Sequence, residues 1–528
     1  MKKLFGIFFI ILASIFLVSC KNDDHQVEIE ITELVVEVKT MSFVMTVEDL
    51  ENEITGNISI RLTAVASNTE ISTRTTNKDA LIEGKQTLDY INLTPSTEYR
   101  ISISAVIGQK SVSFEPETFT TKAEDSVITT VEEFLNISSN RTGNYELAND
   151  LDFTGVEFTS LFLQQSNGFA GTFDGKGFEL QNITFKSMDS YTGIFGNVSS
   201  GKILNVTLNN VTIGTEETPL TINKTTRVGL VAGYLGTNAS EVKNVSVINS
   251  RIHVTSSSTI SLYVGGLVGE NALGTIEDIT LDQVEVNVKS TSTGNVKVGG
   301  VVGFMSDNSS FSAPKLMNVV SNANVGFTLA NTRIIDKSLS FIVGGVVGDN
   351  NAQQVNVSVQ NILNSGNIAL DLDFGTQSGT TDRSYTVNVG GIMGRSYSNM
   401  QSAIFAGSIS LDHVANEFES SISKTFNVGG LVGSYIIGNP QRITNQLLRL
   451  GDSNQISISY TGEVNLRISH TIANQDSTSS ITTHHYGELI TLVNAESASD
   501  LDPSNRLMTL DDYFTSEWLE EAYQDFIE

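Results

Sequence analysis

Two aspartates and an aspartate–lysine pair are the first candidates for chemistry in this sequence. Asp150 and Asp152 lie two residues apart, and Asp174 lies two residues before Lys176. Two carboxyl groups can serve as the acid and base of glycoside cleavage, and a base beside a cation suits elimination from a uronate. Each pair also fits a simple turn, because Asp, Asn and Gly are common turn residues. We therefore expect structural roles for them and predict no catalytic residue.

The histidines lack the spacing of a metal site. Zinc bound on a helix needs two histidines four residues apart with a glutamate after the first, and no such pattern occurs. The six histidines are His25, His253, His413, His470, His484 and His485. The adjacent pair lies in strand-like sequence and is expected at the surface. We predict no cofactor and no metal ligand, although structural calcium on the acidic surface stays an open alternative.

Cys20 is the only cysteine, and it ends a segment with the features of an export signal. Lys2 and Lys3 precede an uncharged, mainly apolar run over residues 4–19, which is shorter than the roughly 20 residues of a membrane span. The run closes with Leu-Val-Ser before Cys20. This stretch resembles the lipobox of bacterial lipoproteins, which implies cleavage before Cys20 and acyl chains, such as palmitate, on that residue. The alternative is a signal or anchor segment with a chance cysteine.

The composition narrows the classes of partner. The chain has 528 residues with 31 Lys+Arg against 59 Asp+Glu, so its formal charge is −28. Nucleic acid is not an expected partner, since phosphate backbones are bound by basic surfaces. Only six prolines occur, which suits long hydrogen-bonded ladders because proline removes a donor. With the signal peptide assigned to residues 1–19, residues 20–25 form a lipidated tether to the membrane.

Residues 26–122 have the alternation of a small β-sandwich. Apolar and polar residues alternate over 27–31 and 57–62. The segment 93–99, Leu-Thr-Pro-Ser-Thr-Glu-Tyr, resembles the tyrosine corner of fibronectin type III domains. Members of that family usually bury a tryptophan, but the only tryptophan here is Trp518, so Phe43 is expected to fill that space. We interpret the domain as a spacer, with direct ligand binding as the alternative.

A glycine-rich hexapeptide of the type Val-Gly-Gly-Leu-Val-Gly recurs along residues 193–433, and its first two copies are degenerate. Its copies end at Gly196, Gly233, Gly269, Gly303, Gly348, Gly394 and Gly433, in steps of 37, 36, 34, 45, 46 and 39 residues. This period predicts a right-handed parallel β-helix over residues 145–495, and we expect two rungs of roughly 20 residues per repeat. The predicted rod is then on the order of 80 Å long. Glycine is expected to supply positive φ at corners and close passage between rungs.

A second repeated unit places an amide or aspartate before a short strand. These residues are Asn182, Asn205, Asn244, Asp278, Asn318 and Asn361. Stacked amides at equivalent places on successive rungs can form a hydrogen-bonded ladder. We predict such a ladder along the coil.

The glycine motifs resemble the GLUG repeat of bacterial surface proteins, some of which also carry an IgA-specific metallopeptidase. The resemblance covers about residues 145–435 and implies an all-β solenoid. The peptidase half has no counterpart in this sequence. The repeated residues are those that the coil itself requires, so the resemblance implies architecture and not an activity.

Both ends of the predicted coil have a candidate lid. Residues 123–144 are predicted as a helical cap or linker, because Thr130 and Glu133 have capping-box spacing and Phe134 shares a helical face with its apolar neighbours. The acidic tail, residues 496–528, carries an apolar residue every fourth position. The members of that stripe are Leu510, Phe514, Trp518, Ala522 and Phe526. We interpret it as a second cap, with a partner-binding helix as the alternative.

These features together predict a lipid-anchored, exported protein of a bacterial cell surface. A long coil presents faces and loops away from the membrane, so we expect it to bind a glycan or an extracellular protein, as an adhesin does. The alternative is a polysaccharide lyase or glycoside hydrolase on a β-helix. A structural envelope component without a specific ligand is the third reading.

Overall fold

The computed structural model describes most of the chain between residues 27 and 507 and divides it into two units, Met1–Asp125 and Ser126–Glu528. The described residues are 27–36, 40–94, 97–121, 125–222, 224–256, 261–291, 294–306, 313–330, 339–352, 357–373, 383–414, 422–436, 447–449, 456–460, 465–469, 472–475, 484–485, 490–492 and 506–507. Cys20 and the apolar stripe of the acidic tail lie outside them. Among the described residues, no helix combines the length and the apolar character that crossing a membrane requires.

The first unit consists of two antiparallel sheets. One sheet contains Val27–Val36, Thr40–Asp49 and Lys85–Ile91; the other contains Thr69–Thr76, Ile54–Ala64, Glu98–Ile107, Lys110–Ser113 and Glu117–Thr120. A short 3₁₀ helix, Lys78–Ala80, lies between strands. Alternate residues of the long strands are buried, as in Glu98–Ile107, so the apolar face of each sheet enters one shared core.

Two aromatic residues organise that core. Phe43 is buried and stacks on Tyr90 with ring centroids 6.4 Å apart. Tyr99 is buried too, and its hydroxyl accepts a hydrogen bond from the backbone N–H of Thr94 at 2.8 Å. This is the backbone contact that the tyrosine-corner segment predicts.

The second unit is built from parallel sheets, which we name A to D. Over the described residues, sheet A contains Asp125–Ile128, Asn144–Leu147, Leu151–Asp152, Thr172–Asp174, Glu179–Gln181, Lys202–Asn209, Glu241–Ile248, Thr275–Asp282, Lys315–Ser321, Val357–Asn364, Asn399–Phe405 and Leu447–Arg449. Sheet B contains Glu157–Phe158, Thr184–Phe185, Thr212–Ile213, Leu220–Ile222, Arg251–Ser256, Glu285–Ser290, Asn324–Leu329, Ile368–Asp373, Ile409–Val414, Ile456–Tyr460 and Ile490–Leu492. Sheet C contains Tyr191–Thr192, Thr226–Val228, Leu262–Gly265, Val296–Gly299, Leu339–Gly344, Arg383–Gly390, Ile422–Gly429 and Asn465–Ser469. Sheet D contains Phe195–Val198, Ala232–Leu235, Val268–Asn271, Val302–Met305, Val347–Asn350, Met393–Ser396, Val432–Tyr435 and Ile472–Gln475.

The chain visits the four sheets in order, so one sequence repeat makes one turn of a coil. Glu241–Ile248 of sheet A is followed by a strand in each of sheets B, C and D before the chain returns to sheet A at Thr275. Glu241 pairs with Thr275, 34 residues further on. The prediction of two rungs per repeat is therefore wrong, because each repeat supplies four strands and not two short rungs. Over the described residues, the longest paths of neighbouring strands, in sheets A and B, have ten members each and at a spacing of about 4.8 Å span about 43 Å, short of the predicted rod.

The hexapeptide forms the corner between sheets C and D. Gly265 ends a strand of sheet C and Val268 begins a strand of sheet D. The first glycines of successive motifs pair directly, as Gly265 does with Gly299. A Cβ built on Gly300 would overlap the carbonyl oxygen of Gly345 on the next turn. Close passage between turns therefore requires these glycines, as predicted.

Positive φ is not the reason for the motif glycines. The described glycines with positive φ are Gly84, Gly108, Gly155, Gly177 and Gly214, all outside the hexapeptides. The left-handed conformation occurs instead at the repeated amides, for example at Asn205 with φ of 52° and Asn244 with φ of 53°. Asparagine and aspartate tolerate this region better than other residues with a side chain. The expectation of positive φ is thus wrong for the glycines of the hexapeptides.

The amide ladder is present along sheet A. Asn244 Nδ2 donates to Asn205 Oδ1 at 2.7 Å, and Asn361 Nδ2 donates to Asn318 Oδ1 at 2.9 Å. Asn318 in turn donates to Asp278 at 2.9 Å. Asn182 belongs to a different stack, in which it is bonded to Asp152 below and Asn210 above. The residues predicted from sequence to form one ladder therefore belong to two separate stacks.

One end of the coil is closed by a helix. Val131–Asn136 begins at a capping box between Thr130 and Glu133, as predicted, and is followed by the 3₁₀ turn Ile137–Ser139. Phe134 is fully buried and makes edge-to-face contacts with Phe153 and Phe173, each at 5.5 Å.

Two further short elements are the 3₁₀ turn Gln165–Asn167 and the paired strands His484–His485 and Arg506–Leu507.

Candidate functional site

The carboxylates of Asp150 and Asp152 both accept hydrogen bonds from neighbouring residues. Asp150 Oδ1 accepts a hydrogen bond from the backbone N–H of Glu179 at 2.9 Å. Asp152 Oδ1 accepts from Asn182 Nδ2 at 2.8 Å and from the hydroxyl and N–H of Thr154 at 2.7 and 3.0 Å. The hydrogen bonds from Asn182 and Thr154 lower the pKa of Asp152. A carboxyl group held ionised in this way is a poor proton donor.

Asp174 and Lys176 are likewise engaged with neighbours. Asp174 Oδ1 accepts from the Lys176 backbone N–H and from Asn205 Nδ2, both at 2.9 Å. Burial opposes ionisation of Asp174, but the hydrogen bonds from Asn205 and Lys176 outweigh it and lower its pKa. Lys176 Nζ lies 2.8 Å from Glu146 and 3.0 Å from Asp174, contacts that raise its pKa. The bond from the Lys176 N–H gives Asp174 the turn role expected for it. The bond from Asn205 also makes Asp174 the first residue of the amide ladder.

The described histidines lie in separate places. His253 is buried in sheet B with Nε2 3.4 Å from Glu285 Oε2, and His413 is buried against the ring of Phe426. His25 and His470 lie outside the described residues. Within the part of the chain that the structure describes, no three acidic, cysteine or histidine side chains are grouped to hold a metal ion.

The most distinctive surface feature lies on both sides of the hexapeptide corner, and we name it the aromatic–cation strip. It consists of those charged or aromatic residues that stand at the register position before a glycine motif, in sheet C, or after one, in sheet D. Its members are Tyr191, Arg227, Tyr263 and Lys297 in sheet C and Tyr234, Glu270, Phe304, Asp349 and Arg395 in sheet D. Within each sheet they are in direct register from turn to turn.

Each sheet C member contacts the sheet D member of the next turn. The rings of Tyr191 and Tyr234 lie 5.5 Å apart, and those of Tyr263 and Phe304 lie 5.0 Å apart. Between these two aromatic pairs, Arg227 Nε forms an ion pair with Glu270. The next level is another ion pair, in which Lys297 Nζ lies 2.8 Å from Asp349 Oδ2. Aromatic and ionic pairs therefore alternate along the coil.

Cations cover the ring faces within the strip. The Arg227 guanidinium lies 5.2 Å from the Tyr191 centroid, 5.4 Å from that of Tyr234 and 5.7 Å from that of Tyr263. Lys297 Nζ lies 3.0 Å from the Phe304 centroid and 5.0 Å from that of Tyr263. Such contacts are stabilising, by about 0.5–2 kcal/mol each depending on exposure. Each aromatic ring of the strip therefore has at least one cation against its face.

The charges of the strip are layered. The side chains of Glu270 and Asp349 are 5% and 0% exposed, whereas those of Arg227, Lys297 and Arg395 are 21%, 12% and 24% exposed. Burial lowers the pKa of Lys297 against the opposing effect of Asp349. Burial also opposes the charge of Asp349, but Arg395 and Lys297 outweigh it and lower that pKa. The acids thus form an inner layer and the cations an outer one.

The sequence carries a signal for this strip in the residues next to the glycine motifs. Charged or aromatic residues stand before the copies that begin at Val228, Val264 and Val298 and after those that end at Gly233, Gly269, Gly303, Gly348 and Gly394. Their identities differ from copy to copy, so they do not stand out as a motif. Only the one-turn offset between sheets C and D brings unlike residues together.

No protein-family model matches this sequence, and no curated protein sequence does either. One solved structure with similarity is the sensor domain of the anti-sigma factor RsgI4 in Pseudobacteroides cellulosolvens, at 20% identity over 18% of this chain and 95% of that chain, with a TM-score of 0.15. Another is an IgA1 protease, at 15% identity over 78% of this chain, with a TM-score of 0.32. The match spans 29% of the protease chain.

Proposed function

We propose that this protein is a lipid-anchored binding protein of a bacterial cell surface, with a glycan or an extracellular protein as its ligand. Cys20 is the proposed lipidation site, and its acyl chains are the proposed contact with the membrane. Several acyl chains on one residue exceed what stable anchoring requires. The first unit is proposed as a fibronectin type III-like spacer, supported by the Tyr99 hydroxyl bonded to the Thr94 N–H.

We further propose that the second unit is a right-handed parallel β-helix built from GLUG-type repeats. The support is the parallel pairing of strands with their counterparts one repeat away, and the pairing of glycine with glycine on successive turns from Gly265 to Gly429. The coil itself uses its aliphatic residues inside, so recognition falls to the outward positions.

The aromatic–cation strip is the observation that carries the binding proposal. Its polar and aromatic side chains are in register over five turns, from Tyr234 to Arg395. Binding sites are enriched in aromatic residues and arginine, which combine contact area with hydrogen bonding. The candidate catalytic carboxylates Asp152 and Asp174, in contrast, are engaged in turns. A binding role is therefore favoured over catalysis.

The test is retention of the full chain on an array of glycans and extracellular matrix proteins, followed by product analysis of each ligand that is retained. We expect specific retention without change to the ligand. Release of reducing ends or unsaturated uronates would instead establish the enzymatic alternative. Failure to retain any ligand would contradict the binding proposal and favour a structural envelope component.

A further inference from the structure

The aromatic–cation strip has a chemistry that narrows the ligand class, and this inference rests on the binding function proposed above. We propose that the strip binds a linear acidic polysaccharide of the polyuronate type, whose carboxylates contact Arg227, Lys297 and Arg395. Three observations carry the proposal: the layering of charge, the occupied ring faces, and the repeat of cations along the coil.

The outer layer of the strip is cationic although the whole chain is strongly acidic. Arg227, Lys297 and Arg395 are opposed by two carboxylates, Glu270 and Asp349, so the strip carries one cation in excess among its members. Both carboxylates are buried beneath the cations. An arriving ligand meets these guanidinium and ammonium groups before Glu270 or Asp349, and nearby charge matters most because distant charges are screened beyond about 8–10 Å.

Arg395 retains hydrogen-bonding capacity toward solvent. It uses Nε and Nη2 on Asp349, at 2.8 and 2.7 Å, whereas a guanidinium carries five N–H donors in a planar fork. Its side chain is about one-quarter exposed, and Tyr397 lies beside it with its ring centroid 5.3 Å from the guanidinium carbon. The N–H groups of Nη1 and the second N–H of Nη2 can donate to a ligand carboxylate, a group that guanidinium binds well.

The aromatic rings are poorly placed for neutral sugars. A neutral glycan is held chiefly by stacking on exposed ring faces, but the faces of Tyr191, Tyr234 and Tyr263 are directed toward Arg227, and Lys297 covers Phe304. The ring faces turned toward these cations are not open to a stacking sugar, whereas the cationic groups beside them can still contact a ligand. This arrangement favours hydrogen bonds and ion pairs with an anion over stacking.

The spacing of the cations favours a polymer over a small anion. Arg227 and Lys297 occupy the same column of sheet C two turns apart, which is about 10 Å. Asp349 lies one turn before Arg395 in sheet D and holds both Arg395 and Lys297. A polyuronate carries a carboxylate on every sugar, so a chain lying along the coil can meet all three cations. A monomer would engage one.

The test compares polygalacturonate with its fully methyl-esterified form, which has the same backbone without the charge, using the full chain and calorimetry or surface retention. We expect binding of polygalacturonate that weakens with added salt, at least about tenfold weaker binding of the ester, and weaker binding of the galacturonate monomer. A tenfold change corresponds to about 1.4 kcal/mol. Equal binding of the acid and ester forms would overturn the proposal, as would selective binding of a sulphated glycan.

Variants separate the strip from the rest of the acidic surface. Replacing the three charged partners together, Lys297→Met, Asp349→Leu and Arg395→Met, removes the charge without leaving one buried ion unpaired, a change that is often tolerated. We expect this variant to keep its thermal transition and lose polygalacturonate binding about tenfold or more. The control is Lys243→Met, which removes an exposed lysine paired with Glu277 on sheet A and should retain binding. Unchanged binding by the folded triple variant would overturn the assignment.

The outcomes also separate this inference from the function on which it rests. Retention of a neutral glycan or a protein, with no binding of polygalacturonate, would overturn the ligand class and leave the binding function standing. Retention of no ligand on any array would overturn both.

Discussion

Arg395 donates two hydrogen bonds to the fully buried carboxylate of Asp349 across one turn of the coil, from Nε at 2.8 Å and from Nη2 at 2.7 Å. Lys297, on the preceding turn, approaches the same carboxylate to 2.8 Å. One side chain therefore joins three consecutive turns. Charge-assisted bonds with this geometry are among the stronger polar contacts in proteins.

Removing this carboxylate should destabilise the coil. Asp349→Ala leaves Lys297 and Arg395 partly buried without their counter-ion, and breaking a buried ion pair in this way costs about 3–5 kcal/mol. We expect a loss of that size in the free energy of unfolding of the second unit, measured by denaturant titration. Asp371→Ala, at an exposed position of sheet B, is the control and should change it by less than about 0.5 kcal/mol. Equal effects would contradict the role assigned to Asp349.

The same carboxylate predicts a pH dependence. Burial opposes the charge of Asp349, but Arg395 and Lys297 outweigh it, and its pKa in the fold lies below the ordinary value of about 3.9. A lowered pKa contributes stability that is present above the unfolded pKa and is lost as pH falls through the folded value. The stability difference between the parent and Asp349→Asn should be constant from about pH 5 to 7 and shrink below about pH 4. A difference that grows with acidity would refute this sign.

At the left-handed positions of the amide ladder, glycine should destabilise the protein less than alanine does, the reverse of the usual order in a strand. Asn244 has φ of 53° and donates to Asn205 Oδ1 at 2.7 Å. Asn244→Gly loses the hydrogen bond but keeps the conformation, whereas Asn244→Ala also pays about 1–2 kcal/mol for a left-handed backbone. We expect the alanine variant to have the lower thermal midpoint.

Ser246, two residues further along the same strand, is the matched control because it is not among the residues with positive φ. At this position we expect Ser246→Gly to be less stable toward unfolding than Ser246→Ala by about 0.5–1 kcal/mol. The same order of stability at both positions would show that backbone conformation does not select the asparagine.

The hexapeptide corner predicts that its glycines cannot be enlarged. A Cβ on Gly300 meets the backbone carbonyl of Gly345, which cannot move without shifting the next turn. Gly300→Ala should cost about 1–3 kcal/mol or more, as overpacking does. Gly236→Ala is the control, because its nearest neighbour is the ring of Tyr234 at 3.0 Å, which can adjust. Comparable melting temperatures for the two variants would argue against close passage as the reason for the motif.

Much of this architecture is predictable because the coil requires particular residues at particular spacings. Val264 and Val268 are apolar since they face the interior, and the glycines between them are fixed by close passage. The capping box at Thr130 follows from local chemistry alone. These features give the all-β class, the parallel sheets and the lid at one end.

The number of strands in each repeat and the aromatic–cation strip could not be predicted from the sequence in the same way. A period of 34 residues fixes the repeat but does not say how many strands each repeat holds. Arg227 and Glu270 come together only because sheet D is offset by one turn from sheet C, a relationship that no sequence spacing contains. Conspicuous aspartates such as Asp174 stand out in the sequence, whereas the residue type at the strip positions changes from copy to copy.

The proposed anchor predicts the fate of a one-atom change at the only cysteine. The thiol of Cys20 is the proposed attachment point for lipid, and signal cleavage before it depends on that modification in the lipobox that this segment resembles. Cys20→Ser should therefore accumulate as uncleaved precursor that takes up no labelled palmitate, whereas the parent should be shorter by 19 residues and labelled. Ser19→Ala, which retains the thiol, is the matched control and should mature like the parent. Normal processing and membrane retention of Cys20→Ser would remove the lipid anchor from the proposed function but would leave the strip and its ligand open to their own tests, since neither depends on how the coil is held at the surface.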